Sequence, residues 1–571
     1  MRDIEKLKEA VLHNDASSMV SLGRCFEDGD GVEQDEKAAF ELYCRAAEQG
    51  DVVGQYRSGR CYLYGMGVKK NCKRAMEWLE KSAAHGFAKA YNLLGVMYCD
   101  GKGVAQDSEK AAGLFKLAAE KGDASAQYNL ALCYQHGDGV EQDYAEMLRL
   151  LQLACEQGDA DAMNEMGTCY RLGKGVEKDT ETALEWFHKA GDAGSDEALN
   201  QLGIHYSEGD GVERDVYMAA YWFERAAEKG FATAFFNLGM LFADEDTLFS
   251  DEYIAAIFFE KAAELGDRAA QLEMGVRYRR GLGVRQDIVK AVEMLEKSAA
   301  QEQRDAIREL GERHLMGEVV TKSEDLAFKL YLQAAEMGSP TAMAEVGYCY
   351  KYGVGVDPDP EESYRWFLQA AEKDDEYAQT QVGVYLRDGE GVEIDEEQAA
   401  EWFQKAANER FSPALFELAC CYEDGTGVPV DEAKAFSLMK QAADKHLPKA
   451  MVELARYYEN GVATETDTRQ AFELYREAAE REFIEAEREL ARCYENGVGT
   501  ERDLQKAELW QERADEAEAE KALDDGETYP GYEKYFEKAR QWAYPTQEDS
   551  VDSVNHEIAV WSYWLRKQRE Q

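Results

Sequence analysis

A period of 36 residues governs this sequence. The second glycine of a G-x-G pair falls at Gly31, Gly67, Gly103, Gly139, Gly175, Gly211, Gly283, Gly355, Gly391, Gly427 and Gly499, and every interval is 36 or a multiple of it. Counting through the gaps reaches Thr247, Val319 and Ala463, so fourteen registers run without insertion or deletion. A strict period of this length means one supersecondary unit per repeat, with each unit burying its apolar face against its neighbours. A chain of 571 residues can then avoid splitting into separate globular cores.

Within the period, two amphipathic helices are legible. Eight residues before the glycine stands Gly or Ala in all fourteen registers, and five before it usually stands an aromatic, as at Tyr62, Tyr98 and Tyr170. Ala162, Met166, Gly167 and Tyr170 therefore share one face of a helix A, and Ala183, Phe187 and Ala190 form the matching face of a helix B. Small residues on both faces let the helices approach closely, and the aromatics are expected in the core. Gly173 suits the left-handed residue that ends helix A. Asp179 suits the N-cap of helix B, and its register holds Asp twelve times, with Asn71 and Ser323 at the other two. The expected fold is all-α: an α/α right-handed superhelical solenoid of fourteen 36-residue helix-hairpin repeats.

The glycines do not read as a phosphate cradle. They follow a helix rather than a strand, and no Lys-Ser/Thr pair follows them. The eight histidines have no metal-ligand spacing, and neither H-E-x-x-H nor G-x-S-x-G occurs. No catalytic residue, cofactor or metal is expected, and the chain is read as not an enzyme. Seven of twelve cysteines, among them Cys25, Cys61 and Cys169, share one register, as small buried side chains do in a reducing compartment. The opening MRDIEKLKEAVLHND has no apolar stretch of the signal-peptide kind, and no apolar run approaches membrane-spanning length. A cytoplasmic location without membrane contact is the expectation. The net charge of -49 repels nucleic acid and favours basic partners.

These residues closely resemble Sel1-like repeats, relatives of the tetratricopeptide repeat; the run AKAYNLLGVMYCDGKGVAQDSEKAAGLFKLAAEKGD carries the motif end to end. The resemblance covers about residues 15–518 and implies an adaptor or scaffold that binds a partner protein or peptide. A cysteine-rich branch of the family is similar but pairs two cysteines per repeat, whereas this chain keeps only Cys155 in the first of those registers. The resemblance also implies that helix A lines a concave groove, with the residue before the L-G pair pointing into it. That row reads Ser21, Arg57, Leu93, Asn129, Glu165, Gln201 and Asn237 in the first seven repeats. It continues as Glu273, Glu309, Glu345, Gln381, Glu417, Glu453 and Glu489. The six glutamates are the expected contacts for a basic protein or peptide, although Arg456 and Arg492 stand three residues beyond Glu453 and Glu489 and can pair with them.

Residues 1–14 are expected to form an N-terminal capping helix, 15–518 the repeats, and 519–571 a C-terminal helical cap or docking segment containing Trp542, Trp561 and Trp564. The seventh and ninth repeats lack the Gly-rich turn, so a bend or a distinct surface is expected around 243–320. Two other functions fit the same sequence: an acidic, immunity-like neutraliser of a basic effector, and an enzyme with Glu and His assembled in the groove.

Overall fold

The computed structural model describes residues 4–524 apart from 245, 246, 248, 249, 318 and 319. The described residues form 29 helices and no strand. The Trp-rich segment that the sequence sets apart lies outside the described residues, although the last helix, Leu504–Asp524, runs past residue 519. Two compact units divide between Asp251 and Glu252, inside the seventh repeat. Each unit is a stack of helical hairpins in which every helix packs on the next one in sequence.

The fifth repeat shows why each hairpin forms. Helix A spans Ala160–Leu172 and ends on Gly173 at φ 72°, where a side chain would be strained. The Lys174 N–H returns to the Cys169 carbonyl at 3.0 Å and closes the turn. Helix B spans Thr180–Ala193, and the Asp179 carboxylate accepts from the Thr182 N–H at 3.1 Å and its hydroxyl at 2.6 Å. The Asp179 N–H in turn donates to the Tyr170 carbonyl at 2.9 Å, and the same bond recurs from Asp35 to Phe26 and from Asp107 to Tyr98. The cap therefore ties helix B back to the aromatic of helix A.

Packing follows the small-residue pattern. Ala162, Ala183, Phe187 and Ala190 are all fully buried. A methyl group at Gly167 would sit 2.7 Å from Phe187 Cε1, so the ring occupies the space that glycine leaves. The G-x-G glycine has a second task. A side chain at Gly139 would run into the Ser108 carbonyl, and one at Gly355 into Glu324, at the start of helix B of the preceding repeat. This loop is thus an inter-repeat contact, which periodicity alone does not show.

The aromatic register is less deeply buried than expected. Tyr62 and Tyr278 are core residues, but Tyr98, Tyr170 and Tyr494 are only half-buried. Two of these rings meet cations twelve residues on: Lys110 lies 4.1 Å from the Tyr98 ring and Lys506 5.2 Å from Tyr494. Their edges meet the preceding repeat, as where Phe472 packs T-shaped on Tyr494 at 5.4 Å. None of the twelve cysteines is disulfide-bonded, and burial pushes the Cys169 thiol up to about 12. No helix among the described residues is long and apolar enough to cross a membrane.

Candidate functional site

The helices A of successive repeats approach one another: Ala16–Asp28 reaches Val52–Tyr64, and Glu376–Asp388 reaches Ser412–Asp424. The row position sits in the middle of these helices. Several of its residues engage the preceding repeat at an offset of 30. Arg387 donates to Glu417 at 2.6 Å and Lys351 to Gln381 at 2.9 Å. Arg279 lies 3.8 Å from Glu309, also 30 residues on. In the first unit the polarity is reversed, with Arg57 in the row donating to Glu27 at 2.9 Å. At the next junction both members are apolar and buried, Leu63 and Leu93. The row is therefore part of the adhesive between repeats, with partners matched in charge or polarity at each of these junctions.

This changes how the six glutamates read. Glu273 accepts from Arg277 at 2.9 Å, and Arg277 also reaches Glu252 at 2.5 Å. Glu309 is buried, with only 7% of its surface exposed, and pairs with Arg308. The two i,i+3 pairs form: Arg456 donates to Glu453 at 2.7 Å and Arg492 to Glu489 at 2.7 Å. Arg492 also holds Glu459 at 2.6 Å, and Arg456 holds Glu485 at 2.6 Å. Among the six, only Glu345 has no cation of the described residues within the 4.0 Å ion-pair distance. Leu315 occupies the position where a cation stands at other junctions. Loss of solvation pushes the Glu345 carboxyl up to about 7, against the attraction of Arg308.

Two features escaped sequence reasoning. In the eighth and ninth repeats the cysteine register holds Arg277 and Arg313, which are 3% and 2% exposed. Arg277 lies over the Phe259 ring at 4.6 Å, and Arg313 pairs with Glu312 at 2.9 Å. Both departures from the cysteine register were visible in the aligned repeats. The other feature is Glu165, the one acid in the row of the first unit, which likewise has no cation within ion-pair distance. Two row amides of this unit pair instead with the asparagine just before the row position of the preceding repeat: Asn129 donates to Asn92 at 2.9 Å and Asn237 to Asn200 at 2.8 Å. No group of three or more His, Cys, Asp or Glu placed to hold a metal occurs among the described residues.

Comparison with known proteins agrees with the period. The family model described as Sel1 repeat matches fourteen consecutive segments, from residues 16–51 and 52–87 through to 448–483 and 484–514. A protective antigen of uropathogenic Escherichia coli with an SLR fold is 29% identical, covering 90% of this chain and 99% of its own, with a TM-score of 0.48. A Sel1 repeat protein from Oxalobacter formigenes is 32% identical over 54% of this chain and 89% of its own, with a TM-score of 0.38. An immunity protein from Pseudomonas aeruginosa is 19% identical over 38% of this chain and 83% of its own, with a TM-score of 0.30. No curated protein matches the chain.

Proposed function

The chain belongs to the Sel1 repeat family, and from that premise we propose that it is a cytoplasmic scaffold that holds a basic partner protein along the row of its helices A. Repeat proteins of this kind bind proteins and are typically not enzymes. The observation that carries the reading is the row of the second unit: seven positions at one register, six of them glutamate, in a chain of net charge -49.

In this reading Glu273, Glu309, Glu345, Glu417, Glu453 and Glu489 supply the negative field, and the arginines beside five of them set where it is exposed. Field focusing speeds encounter with a cationic surface, while a few buried contacts supply the affinity. The test is chemical crosslinking of the full chain in lysate of its source cell, followed by mass spectrometry. A stoichiometric partner crosslinked to helices A, and lost at high salt, is the expected result. A partner crosslinked only to helices B, or none at stoichiometric level, rejects the reading.

A further inference from the structure

At the junction of the fourth and fifth repeats, a glutamate of the row stands opposite an amide, Gln135, 30 residues earlier. At three junctions of the second unit the chain supplies a cation to the row residue from 30 residues earlier: Arg279 to Glu309, Lys351 to Gln381 and Arg387 to Glu417. Here the equivalent position holds Gln135, a neutral amide that favours the charged Glu165 carboxylate less than burial opposes it. An amide satisfies part of a carboxylate but leaves its charge uncompensated. Glu165 Oε1 is buried and has no hydrogen-bond partner. The same holds for Gln135 Oε1 and for Asn164 Oδ1, on side chains that are 6% and 7% exposed. All three atoms are acceptors. A buried acceptor left unmade is costly, so the junction favours whatever brings N–H donors and positive charge.

The surroundings select the same kind of ligand. Exposed Asp161 and Glu197 add negative charge around Glu165 and half-buried Tyr128. Lys174, the cation that acts most strongly on Glu165, does so from beyond ion-pair distance. Tyr128 is held above its ordinary range by burial first and by the charge of Glu165 second. A lysine ammonium offers three donors and an arginine guanidinium five, and either is attracted by an aromatic face.

We propose that the Gln135–Glu165 junction is a receptor for a lysine or arginine side chain of the partner protein, which completes from outside the ion pair that the chain completes by itself at Arg387–Glu417. This rests on the scaffold reading and names the chemistry of one contact in it.

The test is selection of a random displayed peptide library on the full wild-type chain, with the selected peptides then titrated against two variants. Glu165→Gln removes the charge and keeps the shape; Gln201 and Gln381 already occupy that register, so the fold tolerates it. Gln135→Arg fills the site from within, as Arg387 does at Glu417. Expected are peptides sharing a Lys or Arg and bound on the order of thirtyfold more weakly by both variants, the scale of losing one buried charge contact. Thermal melting checks each fold, and Gln135→Arg is expected to melt higher than wild type. Peptides without a common basic residue, or bound equally by wild type and variants, overturn the receptor and leave the scaffold reading standing. Failure of wild type to select any peptide counts against both.

Discussion

Replacing Gly383 by alanine tests whether close packing, rather than helix termination or flexibility, puts glycine in the middle of helix A. Alanine is the better helix former by about 1 kcal/mol, so a solvent-facing site would gain stability. At Gly383 the added carbon would lie 2.5 Å from Phe403 Cε1, 2.8 Å from Cδ1 and 2.9 Å from Cζ. Ordinary carbon contacts sit near ~3.5–4.0 Å, so the ring must retreat by about 1 Å. Phe403 is fully buried between Ala399 and Ala406 and has nowhere easy to go. Overpacking of this kind costs roughly 1–3 kcal/mol, which leaves a net loss of about 1 kcal/mol after the helix gain. The chain contains its own remedy: where this register holds Ala419 or Ala131, the facing residue is Met439 or Leu151. Gly383→Ala combined with Phe403→Met should therefore be better than the sum of its parts by about 1 kcal/mol. Repeat arrays do not unfold in two states, so the assay is native-state hydrogen exchange of amides in Glu376–Asp388 and Glu396–Asn408. A stabilised Gly383→Ala with no coupling to Phe403→Met would refute the packing argument.

Other expectations follow from the same geometry. Arg387→Met and Glu417→Gln should couple by about 1 kcal/mol in a double-mutant cycle, since the pair is 2.6 Å long and only partly exposed; zero coupling would mean the junction is held by apolar contacts alone. Glu345 titrates near 7 in the folded chain, above its unfolded value, so the folded state holds the extra proton between the two. Stability should fall as pH rises from about 4.5 to about 7, by ~2 kcal/mol once solvent access is allowed for, and Glu345→Gln should flatten that slope in denaturant titrations. Ala463 holds the second glycine register at φ 53°, so Ala463→Gly should stabilise the thirteenth repeat by about 1 kcal/mol in the same exchange measurement.

The hairpins were legible in the sequence because each of their causes is local. Asp179 caps, Gly173 turns and Ala162 packs within one period, and each signal recurs fourteenfold or nearly so. What the period conceals is anything that depends on the neighbouring repeat. The row looked like a line of free acids because Glu417 and its arginine stand 30 residues apart, across a junction rather than along a helix. Arg456 and Arg492 were foreseen because their partners lie three residues away on the same helix. Glu165 was passed over because it is one acid among neutral neighbours, and its isolation shows only when Gln135 is placed beside it. The aromatic register was placed in the core because it shares the small-residue face of helix A, but a tyrosine there keeps one face for a lysine such as Lys110.

The seating of Gly139 against the start of the preceding helix B, repeated at Gly355 and Gly427, bears on how such a chain changes over time. Each loop is gauged against a backbone 31 residues earlier, as Gly139 is against Ser108, so gaining or losing one residue in between moves the glycine off its seat and lets a bulkier position collide. Removing a complete block leaves every remaining loop opposite an equivalent helix start. The length of this protein is therefore quantised: it can grow or shrink by whole repeats through duplication and excision, while single-residue drift is rejected wherever a loop is so seated. That accounts for fourteen registers in unbroken phase.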